Sequence, residues 1–270
     1  MNKTIFFDGG TGTELQKHGI TDNPATVNIT HPQIITEIHS AYVQAGANII
    51  TANTFGAYSH KIDNFAQVIT RAMENARAAT HEKCLVTLDM GPTGLTLEPY
   101  GDTPAETAAE IFAATISHGV KNGADIILIE TMMDLNELEI AVTAAKATKL
   151  PVYATMSFDP TGRTMYGANI KNMVELLTRL KVDAMGINCG QGLDGYKTII
   201  ADLLRLTDLP VIVQPNAGLP EMVNGAATYT LPPQDFAAFM ADISNMGVKI
   251  LGGCCGTTPA HIAAMVEKIQ

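Results

Sequence analysis

Basic residues are scarce in this chain: 17 Lys and Arg stand against 27 Asp and Glu, a formal net charge of −10. No Lys/Arg-rich stretch is present to neutralise phosphates, so no nucleic acid partner is expected. Long apolar runs are missing as well. None approaches the ~20 residues that a bilayer span needs, so no membrane is expected either. The apolar part of the N-terminus, Ile5-Phe6-Phe7, is too short for a secretory signal. The 4 cysteines are irregularly spaced, unlike a disulfide framework; free thiols in a reducing cytoplasm are the expectation. No linker or low-complexity segment divides the chain. Residues 1–270 are therefore expected to form one domain.

What the chain does have is a rhythm. Short apolar runs at residues 4–8, 48–53, 84–89, 125–130, 152–157, 183–188, 210–214 and 249–251 read as eight strands. Helical spacing separates them: about 31–46, a long stretch up to about 80, from 104 onward, 134–149, 169–180, about 194–206, 233–246, and from 259. Residues 215–232 read as a long loop, and 8–12 as a glycine-rich one. Several strands are apolar throughout, as expected when both faces are buried. The fold class is α/β, a single (β/α)8 TIM barrel. A doubly wound open sheet is the alternative, but it usually brings a nucleotide loop and a domain break, and neither is present.

Barrel enzymes carry their chemistry at the C-terminal ends of the strands. The residues there are Asp8, Asn53, Asp89, Glu130, Asn188, Cys189, Asn216, Cys254 and Cys255. Adjacent cysteines such as Cys254 and Cys255 do not easily close a disulfide on each other. Flanked by Gly252, Gly253 and Gly256, they can turn toward one soft metal. A lone buried cysteine is usually just a small hydrophobe, which is the reading for Cys84 at a strand start. Cys189 and the Cys254–Cys255 pair share one rim, so a zinc site with an open fourth position is the stronger reading for them. The histidines lie mostly on helices and loops (His31, His39, His81, His118, His261), where solvated or capping roles are expected rather than ligation. Gly9-Gly10-Thr11-Gly12 lacks the lysine of a P-loop and the GxGxxG spacing. Its amides could equally hold a carboxylate.

Zinc already bound by three thiolates is a poor activator of water, because the unit carries negative charge. It is better suited to deprotonating a fourth thiol and keeping it nucleophilic. Asp8 or Glu130 could hold an ammonium group on the same rim. Together these features describe a pocket for an amino acid that ends in a thiol.

On these residues the chain resembles the homocysteine S-methyltransferase family, and within it the homocysteine-binding module of cobalamin-dependent methionine synthases. The resemblance is carried by Asp8-Gly9-Gly10-Thr11-Gly12-Thr13-Glu14, Thr51-Ala52-Asn53-Thr54-Phe55-Gly56-Ala57, Gly91-Pro92-Thr93-Gly94, Ile129-Glu130-Thr131-Met132, Gly186-Ile187-Asn188-Cys189, Gln214-Pro215-Asn216-Ala217-Gly218 and Gly252-Gly253-Cys254-Cys255-Gly256-Thr257-Thr258-Pro259. It implies zinc on Cys189, Cys254 and Cys255, with the homocysteine sulfur as fourth ligand and Asn216 in that position when substrate is absent. It further implies that Asp8 and Glu130 hold the substrate amino group and that the Gly9 and Gly10 backbone holds its carboxylate. Asn53 is implied only as a rim residue that binds substrate.

The multidomain synthases continue into folate, cobalamin and activation domains. The expected methyl donor is therefore methylcobalamin, or another methylcorrinoid, on a separate corrinoid protein, a reading favoured by Pro215-Asn216-Ala217-Gly218-Leu219-Pro220. Small donors are the alternative: S-methylmethionine, S-adenosylmethionine or betaine. Of other classes, a barrel lyase or aldolase would usually need a strand-end lysine, and none is found. A non-catalytic zinc- or thiol-sensing protein would bind metal without transferring methyl groups.

Overall fold

The computed structural model describes residues 3–20, 23–190, 193, 195–223 and 226–270. Strands form where aliphatic and β-branched residues run together. They are β1 (Ile5–Phe6), β2 (Ile49–Thr51), β3 (Leu85–Met90), β4 (Ile126–Met132), β5 (Val152–Met156), β6 (Ala184–Cys189), β7 (Val211–Pro215), a short pair β8 (Pro220–Val223) and β9 (Ala226–Tyr229), and β10 (Ile250–Leu251). Between them run α1 (Thr11–Lys17), α2 (Val27–Thr30), α3 (Pro32–Gln44), α4 (Phe65–Thr80), α5 (Ala105–Lys121), α6 (Leu135–Lys146), α7 (Ile170–Arg179), α8 (Tyr196–Leu206), α9 (Pro233–Asn245) and α10 (Pro259–Ile269).

The main sheet has 8 strands in the order β1-β10-β7-β6-β5-β4-β3-β2, and every pairing is parallel. Its two end strands meet through a parallel bridge between Phe7 and Ile49, supported by the Asn48 N–H donating to Phe6 O at 2.7 Å. This is the (β/α)8 barrel that the alternation of elements predicts. One buried cluster (Phe7, Leu128, Ala184, Ile212, Ile250) fills the inside, and a larger one joins strands to the surrounding helices. Fully burying each such Ile or Leu side chain contributes about 1.5–3 kcal/mol, so the barrel wall is held from both sides.

Local signals set the helix starts. Asn169 and Asn172 form a reciprocal capping box on α7, and the Asp134 carboxylate accepts the Asn136 N–H at 2.8 Å to open α6. Thr258 and His261 cap α10 in the same reciprocal way, so His261 has the capping role expected of it. Cys84 is buried and its thiol donates to Ala47 O at 3.1 Å, a core role as expected.

Four expectations are corrected. Thr11 and Gly12, expected in the glycine-rich loop, instead open α1, because the backbone turns helical directly after Gly10. The long helix after Asn53 begins only at Phe65, since residues 54–64 are taken up by turns. Residues 220–223 and 226–229 pair as antiparallel strands, not an open loop; β8 is exposed along its length and so carries no burial pattern to read. His39 is neither solvated nor a cap. It shares the buried face of α3 with Ile35, Ile38 and Tyr42, and burial lowers its pKa to about 4. The expected helix start near residue 194 lies outside the described residues.

Candidate metal and substrate site

Strand register brings the cysteines together. Cys189 ends β6 opposite Pro215 of β7, and on the other side of β7 the Cys254 N–H donates to the same Pro215 carbonyl at 2.9 Å. Pro215 is thus the shared neighbour of two chain segments 65 residues apart in number, Cys189 and Cys254. The Cys255 carbonyl accepts the Ala217 N–H at 2.9 Å, which pins the second thiol to the same place. Cys189 itself adopts a left-handed conformation at φ 58°, turning the chain off the strand. Strain of this kind in a residue other than glycine persists only where the surroundings impose it, and functional sites are where it collects. The Sγ atoms of Cys189, Cys254 and Cys255 all lie within 4.8 Å of one another.

The electrostatics of this trio show what it lacks by itself. Hydrogen bonds from Cys254 and Cys255 hold the Cys189 thiol down to about 3. The same contacts push Cys254 well above the usual thiol range and Cys255 up to about 11. One sulfur ionises at the expense of the other two. Three thiolates at this spacing require a cation between them. The Asn216 amide lies against Cys189, donates through Nδ2 to Gly190 O at 2.8 Å, and its Oδ1 is buried with no partner among the described residues. A soft-donor trio with a spare amide oxygen beside it fits a tetrahedral zinc centre.

Beside the sulfurs lies an acidic pocket. Asp8, Asp89, Glu130, Cys189, Cys254 and Cys255 all line one cavity of about 290 Å³. Burial raises the Asp8 carboxyl to about 7, although it accepts the Thr51 N–H at 2.8 Å and the Thr51 hydroxyl at 2.5 Å. Glu130 is raised to about 8 by burial, with further repulsion from Cys189 and Asp8. Asp89 is raised well above its ordinary value by burial and by its neighbours Glu130 and Asp8, and its Oδ1 has no partner among the described residues. Crowded carboxyls with no Lys or Arg among the described residues lining the cavity are a ready site for an ammonium group. A larger groove, about 480 Å³, lies along α7 and α8 and is lined by neither a thiol nor a buried carboxylate.

Glu130 reaches this position through an irregularity. The β4–β5 register shifts between Ile129 and Met132, with Thr131 at φ 59°. Such a bulge re-aims the side chains around it. Asn188 braces it from β6: its Oδ1 accepts the Thr131 N–H at 2.8 Å and the Thr155 hydroxyl at 2.7 Å.

The remaining sequence-derived candidates are placed as follows. Gly9 and Gly10 line the cavity, but their lack of a side chain has a packing cause. A Cβ on Gly9 would sit 2.5 Å from Thr257 Oγ1, and one on Gly10 would sit 2.8 Å from Cys254 O. The Gly10 N–H is also engaged, donating to Thr257. Asn53 borders the cavity while its Nδ2 donates to Pro24 O at 2.7 Å, tying down the segment before α2. Residues that sequence reasoning did not single out also belong here: Thr51, which anchors Asp8; Gln214, buried in the cavity wall with an unpartnered Oε1 among the described residues; and Tyr229 on β9, which lies beside Cys255. The Asn224-Gly225 dipeptide is the hairpin signal that could have pointed to Tyr229.

Known proteins resemble this chain in sequence and fold. A family model described as homocysteine S-methyltransferase matches residues 5–269. The methionine synthase of Mycobacterium tuberculosis is 32% identical over 293 residues, covering 97% of this chain and 24% of that protein. The Mycobacterium leprae methionine synthase is 31% identical, again over 97% of this chain and 24% of the relative. The chain thus spans 24% of the length of these curated relatives. The homocysteine methyltransferase MmuM of Escherichia coli, in its apo form, superposes with a TM-score of 0.79 at 26% identity, covering 99% of this chain and 96% of that one. Its metallated form gives a TM-score of 0.83 at 24% identity, a likeness of fold. The family match takes in every strand of the barrel and all the rim cysteines, and this chain belongs to the homocysteine S-methyltransferase family.

Proposed function

We propose that this chain methylates homocysteine to methionine, acting as one zinc-dependent domain in the cytoplasm. The observation that carries the reading is a juxtaposition: a trio of sulfurs within 4.8 Å of one another and a buried carboxylate cluster line the same cavity. Homocysteine needs both environments, one at each end.

Cys189, Cys254 and Cys255 would hold the zinc, and Asn216 would take the fourth position when substrate is absent. Bound there, zinc supplies the Lewis acidity that makes an added thiol anionic near neutral pH. Glu130 and Asp8 receive the substrate ammonium group, and its positive charge offsets the cost of burying both carboxylates. Asn53 borders the substrate. The substrate carboxylate lies at the Gly9–Gly10 loop, where the Gly10 N–H now donates to Thr257. Held at both ends, the substrate presents its sulfur beside the cysteines. A sulfur lone pair attacks the methyl carbon in line, and the bond to the donor breaks with its electrons leaving on the donor. The product thioether carries no charge and is released.

The donor we propose is methylcobalamin or a related methylcorrinoid on a partner protein, consistent with the likeness to methionine synthases. A small sulfonium donor is the second reading, favoured by the 96% coverage of a homocysteine methyltransferase chain. The test is methionine formation from homocysteine by the zinc-loaded protein, with methylcobalamin and S-methylmethionine in parallel. Turnover with methylcobalamin alone supports the corrinoid reading, and turnover with the sulfonium alone overturns it. Zinc uptake without turnover from any donor would make this a thiol-binding protein instead.

A further inference from the structure

Each sulfur of the trio has a polar side chain beside it. The Asn216 amide lies against Cys189, the Asn188 Nδ2 donates to Cys254 Sγ at 3.8 Å, and the Tyr229 side chain lies beside Cys255. Asn188 cannot turn its amide over cheaply. It is fully buried, its oxygen accepts from Thr131 and Thr155, and its Nδ2 also donates to Thr131 Oγ1 at 2.7 Å. That leaves the N–H end committed to the sulfur side. Tyr229 is held by packing: its ring covers Gly256, where a Cβ would come within 2.2 Å of the ring, and Gly256 adopts φ +79°. The β8–β9 hairpin is the element that carries this ring to the cysteines.

We propose that Asn188 and Tyr229 are positioning residues of the metal centre, each aiming one hydrogen bond at a cysteine sulfur to drain charge from it. The inference rests on the zinc-dependent reading above and names the residues that tune the site. Three thiolates on one divalent cation leave a net negative unit, which weakens its pull on a fourth thiol. Hydrogen bonds to thiolates are charge-assisted, so each one removes part of that excess while fixing the direction of the sulfur. The Asn188 bond has a second consequence. Through Thr131 it ties the orientation of Cys254 to the bulge that presents Glu130, linking the two ends of the substrate site.

The test uses the full chain loaded with Co²⁺ or Zn²⁺, comparing wild type with Tyr229→Phe and Asn188→Asp. Tyr229→Phe keeps the ring over Gly256 and removes only the hydroxyl. Asn188→Asp keeps an acceptor for Thr131 and Thr155 and replaces the donor. The readouts are the thiolate-to-cobalt charge-transfer band and zinc affinity in competition with a chromophoric chelator, neither of which depends on turnover. Both substitutions are expected to move the band to longer wavelength and to weaken zinc binding, about tenfold for Tyr229→Phe and more for Asn188→Asp. A band and affinity unchanged in Tyr229→Phe overturn the inference, even if Asn188→Asp fails to fold. Wild-type protein that shows no thiolate-to-cobalt band sinks the metal reading itself, a distinct outcome.

Discussion

Replacing Gly10 by alanine tests whether the loop after β1 and the cysteine loop after β10 form one close-packed unit. Gly10 sits at φ −71°, ψ 95°, a conformation open to any residue, so backbone strain plays no part. An added Cβ would lie 2.6 Å from Thr13 Oγ1 and 2.8 Å from Cys254 O. Neither neighbour is free to move. Thr13 Oγ1 donates to Gly10 O and accepts the Gly256 N–H, both at 3.1 Å, while Cys254 O accepts the Thr257 N–H at 3.1 Å and its hydroxyl at 2.6 Å. Overpacking costs about 1–3 kcal/mol, and each hydrogen bond lost adds about 1 kcal/mol. The sum predicts a melting temperature lower by roughly 4–10 °C for a chain of this size. Gly12→Ala is the control: nothing lies within 4 Å of its Cβ, and it falls inside α1. Alanine there is expected to be neutral or to stabilise by up to about 1 kcal/mol. Calorimetric melts of the metal-free proteins, with zinc content measured after loading, separate the two. If Gly10→Ala melts with wild type, or Gly12→Ala falls as far, the close-packing argument is wrong.

Further outcomes follow from the site. Changing Cys189, Cys254 or Cys255 to alanine should abolish stoichiometric zinc binding and methionine formation, and full activity in any of the variants would contradict the shared centre. Asp8 and Glu130 are raised to about 7 and about 8, so both are largely protonated below pH 6. An ammonium ligand needs them ionised, so binding of the thiol-free amino acid norleucine should strengthen as pH rises from 6 to 8, measured by titration calorimetry. Glu130→Gln should weaken that binding and flatten its pH dependence; a flat wild-type profile would remove the ammonium role. Zinc at a hundredfold excess over its dissociation constant adds about 2.7 kcal/mol to stability. Chelation should therefore lower the melting temperature by several degrees, and an unchanged melt would argue against a bound metal.

The barrel was legible because burial leaves a period in the chain. Residues 126–129 and 184–187 are apolar throughout, and only strands covered on both faces read that way. The rim was legible for the same reason, since a polar or thiol residue ending an apolar run marks where a strand leaves the core. Cys189, Cys254, Cys255, Asp8 and Glu130 were all found by that signal. The strand pair at 220–223 and 226–229 was not, because β8 is exposed and no burial pattern records it. Nor does any local pattern say that Thr51 anchors Asp8 across 43 positions, or that Gly256 donates to Thr13 across 243. Those contacts depend on strand register and on the closing of the ring. The sequence by itself determined the elements, their order and the kind of chemistry at the strand ends, because these follow from each residue's own preference for water or apolar surroundings. Only the tertiary structure decided which groups meet: the cysteines flanking Pro215, the carboxyls raised by shared burial, and Asn188 and Tyr229 beside the sulfurs, because distance in a closed barrel is set by register and not by position along the chain.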